Sequence, residues 1–173
     1  MQEKIELNAA DAIKAFPAFP VALVAVGDGV RNIITVGIVH AMSLKPPIVG
    51  IGVVPSRYSH KLLQKYEDFS VNIPGKDLVK EVMYCGTKSG KDVDKFKETG
   101  LTPIKGKKIS SPCIGECLVV MECKKSGSFD IGDRTWFFGE IVHAEASKDY
   151  TREKGLLYWG GEFRLPGDVV WRR

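Results

Sequence analysis

Histidine and cysteine are scarce in this chain, with three of one and four of the other among 173 residues. His40, His60 and His143 supply no ligand pair at metal spacing. His143-Ala144-Glu145 and Pro112-Cys113 hold the residue types of a zinc deaminase. Their order is reversed, however, and three residues separate Cys113 from Cys117. Four cysteines are too few for a disulfide scaffold at this length. Cys85, Cys113, Cys117 and Cys123 are expected as reduced thiols packed like small apolar side chains. Cys85 is the one candidate for reactivity.

Also lacking is any apolar run that could span a bilayer. Residues 1–6 carry acids where a signal peptide would be apolar, so the expectation is a cytoplasmic protein with no membrane partner. No strong charge excess exists either: 25 basic against 21 acidic residues give a net charge of +4. That balance does not argue for a nucleic-acid partner, yet it can help attract a phosphate-bearing ligand. Repeats, low-complexity tracts and linkers are absent, and residues 1–173 are read as one domain with a self-sufficient core.

What is present is ordinary globular composition, 44% hydrophobic and 27% charged, which rules out disorder. Asn8 and Asp11 open a short helix that Pro17 and Pro20 stop. Residues 21–26 form an apolar strand, and Gly27-Asp28-Gly29 a turn. The next strand starts at Asn32 with the β-branched run Ile33-Ile34-Thr35-Val36. It leads into a small-polar loop at residues 40–43 before Pro46-Pro47. Further strands are expected at 48–54, 69–73 (alternating apolar and polar), 118–124 and 136–146, with turn residues across 127–134. Helices are expected at 60–66, 77–84 and 92–98, with a loop at 85–90. About six strands at hairpin-like spacing, against three or four short helices, predict an antiparallel barrel or sandwich with helical insertions.

Three motifs bear on chemistry. Residues 27–32 fall one short of a dinucleotide fingerprint, and a strand follows where a helix would hold the pyrophosphate. Gly86-Thr-Lys-Ser-Gly90-Lys91 is one residue short of a P-loop and has Asp92 in place of the magnesium-binding hydroxyl. Its amides, hydroxyls and lysines still suit an anion. Ser56-Arg57-Tyr58-Ser59 stands at a strand-to-helix junction, where unpaired amides and the helix dipole converge. There Arg57 can fork onto a phosphate, with Ser56 and Ser59 as further donors. The alternative is that Ser56 merely caps the helix and Arg57 is solvated.

Together the Asn-x-x-Thr strand, the Pro-Pro after a Ser-containing segment, Ser-Arg-x-Ser, Phe-x-Val-Asn-Ile-Pro, Ser-Gly-Lys…Asp-Lys-Phe and Gly-Asp…Phe-Gly-Glu-Ile-Val resemble the flavin reductase-like family. The resemblance runs from about Phe19 to Phe163 and includes the flavoredoxin branch. It implies a mainly β fold, an FMN-binding split β-barrel of Greek-key topology, usually a homodimer with FMN at the subunit interface. By this resemblance Asn32 and Thr35 lie near the isoalloxazine ring, and Ala41, Met42 and Ser43 offer backbone donors to its polar edge. Ser56, Arg57 and Ser59 hold ribityl or phosphate oxygens, while Ser89, Gly90, Lys91, Lys95 and Phe96 close the pocket. NADH or NADPH, or a redox partner protein, would supply electrons to an FMN-dependent oxidoreductase. Many NADH-dependent members carry a His after Gly-Asp where this chain has Arg134, which shifts weight toward the flavoredoxin-like branch. Arg134 is a candidate for a cofactor phosphate. A flavin store, sensor or carrier without turnover is the alternative.

Overall fold

The computed structural model describes residues 1–171. The apolar run expected at 21–26 contains β2 (Ala22–Val26), whose five residues are all buried. Gly27, at φ 112°, and Gly29, at φ 78°, then turn the chain, in a backbone region that side chains with a Cβ avoid. The return strand is β3 (Asn32–Val36). After the two residues Gly37 and Ile38, β4 (Val39–Leu44) and β5 (Pro47–Val53) form a second hairpin. Helix α2 (Tyr58–Lys65) leads to β6 (Asp68–Ile73). The longest hairpin is β9 (Val119–Ile131) with β10 (Arg134–Ala146), thirteen residues each.

These seven strands make one antiparallel sheet in the order β3-β2-β6-β9-β10-β5-β4. Its two edges, β3 and β4, are consecutive in the chain. Two intervening residues span only about 10 Å, so the sheet must roll until its edges meet. No ladder of hydrogen bonds closes that seam, and the result is a split-barrel-like fold. Smaller sheets pair β1 (Phe19–Pro20) with β11 (Leu157–Trp159) and β12 (Glu162–Arg164), and β7 (Pro103–Lys105) with β8 (Pro112–Ile114). Three helices, α1 (Ala9–Lys14), α3 (Val79–Thr87) and α4 (Lys95–Thr99), complete the framework.

One core fills the roll, with Val24, Ile34, Ile51, Leu63, Phe69 and Phe137 at its centre. A second lies outside β2 and β3, where Leu23, Ile33, Val82, Phe96, Ile114 and Leu156 pack under α3 and α4. This second layer alters the alternation expected at 69–73: Ser70 and Asn72 are fully buried rather than solvent-facing. They are satisfied there. Asn72 Nδ2 donates to Leu23 O at 2.9 Å, Ile114 N donates to Asn72 Oδ1 at 3.0 Å, and Ser70 Oγ donates to Pro112 O at 2.7 Å. A buried polar group costs stability unless paired in this way.

Other boundaries move for identifiable reasons. The loop expected at 40–43 is strand β4, because edge pairing with β5 supplies its hydrogen bonds despite weak local propensity. Cys85, Gly86 and Thr87 form the last turn of α3 and not a loop. The helix expected from 92 begins only at Lys95, since Asp94 caps it by accepting from Phe96 N at 3.1 Å and Lys97 N at 3.3 Å. In the 127–134 connector only Gly132 and Asp133 lie outside the strands. Lys125 fixes the far end of α2 by donating to the carbonyls of Leu63, Gln64 and Tyr66 at 3.1, 3.1 and 2.7 Å.

Gly139 sits at a register shift in β10, where a Cβ would stand 2.6 Å from Phe69 Cζ and 2.7 Å from Cys123 Cβ. Both neighbours are fully buried and have nowhere to move. Gly139→Ala is expected to destabilise the protein by about 1–3 kcal/mol, the usual cost of overpacking. Urea unfolding of the two proteins measures this, and an unchanged midpoint would contradict it.

Candidate functional site

The junction of β5 and α2 builds the site. Val54 O accepts from Arg57 N at 3.0 Å and turns the chain into the helix. Arg57, not Ser56, is the N-cap residue, and no side chain caps the first turn. The helix therefore presents uncapped amides and the positive end of its dipole. Asn32 opens β3 directly beside this turn. It is 2% exposed, and its Nδ2 donates to Ser59 Oγ at 2.7 Å. Its Oδ1 is buried without a partner. Gly90 presses on the same amide: a Cβ there would lie 2.0 Å from Asn32 Oδ1.

Lys95 enters from α4. Its Nζ donates to Ile33 O and to Cys85 O, each at 2.7 Å, so it ties β3 to the last turn of α3. It is 4% exposed and has no acidic partner. Burial is the main cause that lowers its pKa to about 8; Cys85 opposes the shift and the charge of Arg57 adds to it. A buried ammonium beside a guanidinium is poorly compensated, and an anion placed between them relieves that cost.

These elements enclose a pocket of about 90 Å³ lined by Asn32, Ser56, Arg57, Ser59, Thr87, Lys88, Ser89, Gly90 and Lys95, with Ile34, Tyr58, Cys85 and Gly86 completing the wall. No acidic side chain lines it. An adjoining cavity of about 330 Å³ shares Arg57, Gly86 and Thr87 and adds Thr35, Gly37, Val82, Tyr158 and Phe163. Thr35 Oγ1 donates to Val82 O at 2.5 Å. A small charged compartment thus adjoins a larger, mainly apolar one.

Of the expected residues, Asn32, Ser56, Arg57, Ser59, Ser89, Gly90 and Lys95 converge on the first compartment, and Thr35 on the second. Five do not line either. Ala41, Met42 and Ser43 lie on β4, an edge strand, with Met42 folded over Gly50. Lys91 is exposed. Phe96 is buried in the outer core, with the Arg31 guanidinium 5.2 Å above its ring. Tyr158 and Phe163 were not foreseen, because they arrive from the far end of the chain and carry no local signal.

Arg134 is held by its neighbour: Nε and Nη2 donate to the two Asp133 carboxylate oxygens at 2.8 and 2.9 Å. His60 is buried; its Nε2 lies 2.8 Å from Thr135 Oγ1, which donates to Asp130 Oδ1 at 2.6 Å. That chain of bonds assigns the proton to Nε2. Desolvation lowers the His60 pKa, with Asp130 opposing, so the ring is neutral at pH 7. All four cysteines are free and buried. Burial raises the Cys85 and Cys113 thiols to about 11 and Cys123 to about 12. Cys85 touches the pocket but is held as an unreactive thiol. Among the described residues no cluster of His, Cys, Asp and Glu could hold a metal, and no helix is long and apolar enough to cross a membrane.

The chain is thus a split-barrel-like antiparallel protein with a pocket at a strand–helix junction that carries cations and no acid. Within that class, the chain belongs to the family described as flavin reductase like domain, which matches residues 15–166. It is 36% identical over 121 residues to a protein of Archaeoglobus fulgidus, an alignment covering 68% of each chain. With a Pyrococcus abyssi relative the chain spans 63% of the relative's length. The NADH-dependent FAD reductase of Streptomyces globisporus is 27% identical over 154 residues, covering 87% of this chain and 82% of its own. The solved flavoredoxin of Methanosarcina acetivorans superposes with a TM-score of 0.86 at 28% identity, covering 99% of this chain and 95% of its own.

Proposed function

We propose that the protein is an FMN-dependent oxidoreductase working as a homodimer. It takes electrons from NADH, NADPH or a donor protein and passes them to free flavin or a partner protein. The observation that carries this reading is the acid-free pocket of Arg57, Lys95 and the uncapped α2 terminus, in a chain of a flavin-binding family. Arg57, Ser56, Ser59 and the α2 amides would hold the phosphate. Asn32, buried and held by Ser59, would support Gly90 and the 88–94 loop against the ligand. Thr35, Val82 and Tyr158 would flank the ring. The flavin itself supplies the hydride and electron chemistry; the chain binds it, orients it and excludes water. The compact charged compartment favours FMN, whose phosphate is terminal, over FAD, whose adenylate would have to leave past Lys88 and Ser89. On β4, the outward N–H groups of an edge strand would reach the ring edge across the subunit interface, which gives Ala41, Met42 and Ser43 a role.

A second reading, a flavin carrier or sensor without turnover, is favoured by one observation: Arg134, which stands where many NADH-dependent members carry a His, is already paired with Asp133. Anaerobic mixing of the FMN-loaded protein with NADH and NADPH separates the two. Bleaching of the flavin within seconds is expected of a reductase. Persistent yellow that only dithionite removes would assign the carrier role.

Binding should also depend on pH. Free Lys95 loses its proton above about 8, and the phosphate favours the charged form. FMN affinity is therefore expected to fall as pH rises from 8 toward 10.5, while riboflavin affinity stays level. Parallel titrations at pH 7 and pH 10 check this, and equal slopes for both ligands would contradict it.

A further inference from the structure

Asn32 is the hub of three segments that carry cations to one end of the rolled sheet. Arg31 precedes it in the chain, the first turn of α2 is tied to it through Ser59 Oγ at 2.7 Å, and Gly90 packs against its amide. These segments bring Arg31, Arg57, Lys61, Lys88 and Lys91 around the charged compartment, and all five are exposed. The Arg31 guanidinium lies 5.2 Å from the centre of the Phe96 ring, which holds it beside α4. Among the described residues, the ion pairs involve none of the five. Residues 28–34, 55–63 and 84–92 set those five cations against only Asp28 and Asp92, where the whole chain has 25 basic against 21 acidic residues. A phosphate monoester carries a charge of about −2, which Arg57 and Lys95 meet. Arg31, Lys61, Lys88 and Lys91 are left without a counter-charge. None of the five lies on β4, the strand proposed for the subunit interface, and no β4 residue lines the compartment.

We propose that this basic rim is the docking surface for an acidic electron-carrier protein. The surplus cations stand on separate exposed elements and not inside a cavity, so a small anion would meet them singly, in water, where each pair gains little. A protein face with carboxylates in matching places meets them together. A second copy of this chain would bring the same positive face against itself and be repelled. Encounters of this kind are small, under ~1,200 Å² of buried surface. Their gain is mainly in association rate, which complementary fields raise by ~10–10³-fold at low salt. The rim surrounds the compartment of Arg57, and Arg57, Gly86 and Thr87 join that compartment to the one proposed for the flavin ring. The redox role of the carrier rests on the flavin reading above, whereas the docking does not. Two reduced carriers each lose one electron, and the bound flavin gains those two electrons together with two protons from water.

A plant-type two-iron ferredoxin, an acidic one-electron protein, serves as the probe, and cytochrome c, basic and of similar size, as its control. Calorimetric titration of the flavin-free protein with oxidised ferredoxin should give saturable binding at ~0.02 M salt that weakens at least tenfold by ~0.2 M, as screening requires. Cytochrome c should not bind. Arg31 and Lys61 line neither compartment. Reversing both, Arg31→Glu with Lys61→Glu, should weaken ferredoxin at least fivefold, and the neutral Lys61→Gln should weaken it by less. FMN affinity of these variants should stay within a few fold. No ferredoxin binding, salt-independent binding, or equal binding by the double variant would overturn the surface. So would an oligonucleotide that binds more tightly than ferredoxin and loses that affinity in the double variant, which would assign the rim to nucleic acid. A loss of FMN affinity as large as the loss of ferredoxin would return these cations to the flavin pocket. In a second arm, FMN-loaded protein mixed with reduced ferredoxin should bleach at a rate that falls at least tenfold over the same salt range and is slowed in the double variant. A rate indifferent to salt and to the variant would overturn the carrier role. Failure to load FMN at all would sink the flavin reading and leave the first arm standing.

Discussion

Replacing Arg57 by alanine is expected to weaken FMN about 10–150-fold and leave riboflavin within a few fold. The guanidinium sits on the rim of an uncapped helix terminus, where it can meet a phosphate with two parallel charge-assisted bonds. Such bonds contribute about 1.5–3 kcal/mol, and each 1.4 kcal/mol is tenfold in affinity. Riboflavin has the same ring and ribityl chain but no phosphate, so it reads the rest of the pocket. Arg57 is exposed and no hydrogen bond of its side chain supports the fold, so thermal stability should not move. Equal losses for both ligands would remove Arg57 from the phosphate and leave it a general pocket residue.

Gly90→Ala is expected to weaken both flavins together, by about 5–150-fold. The new methyl would stand 2.0 Å from Asn32 Oδ1 and 2.4 Å from Cγ. Asn32 cannot retreat, because it is buried and its Nδ2 is bound to Ser59 at 2.7 Å. The 88–94 loop must lift instead, taking Lys88 and Ser89 off the pocket, at the ~1–3 kcal/mol typical of overpacking. Since the strain falls on an exposed loop, the melting temperature should shift little. Fluorescence titration beside a thermal melt separates the two effects, and wild-type affinity for both flavins would show that the loop does not close on the ligand. The two variants differ in kind: one discriminates between ligands and the other does not.

The contrast between these residues also shows what can be read from the chain alone. Arg57 and Ser59 were legible because a strand stop, a hydroxyl cluster and an apolar helical face stand within a few residues. The close approach of Gly90 to Asn32 was not, since it depends on two segments 58 positions apart packing backbone to amide. The rolled sheet was legible as hairpins, but its roll follows from Gly37 and Ile38 joining opposite edges, a topological fact invisible to local pattern. Alternation misread Ser70 and Asn72, because it assumes a solvent face and here a second core covers the sheet. Ala41, Met42 and Ser43 were read as a loop, since edge pairing with β5 overrides weak propensity. Lys95 was placed near the pocket by family likeness; that it is buried and bound to two carbonyls could be seen only in three dimensions.

FMN held with its phosphate at the α2 terminus should bind more tightly than riboflavin, which lacks that phosphate. Titration of the flavin-free protein with FMN and with riboflavin, followed by quenching of flavin fluorescence at pH 7, tests it most directly. Saturable binding of both is expected, with FMN at least tenfold tighter. No quenching by FMN, or equal affinity for the two, would contradict it.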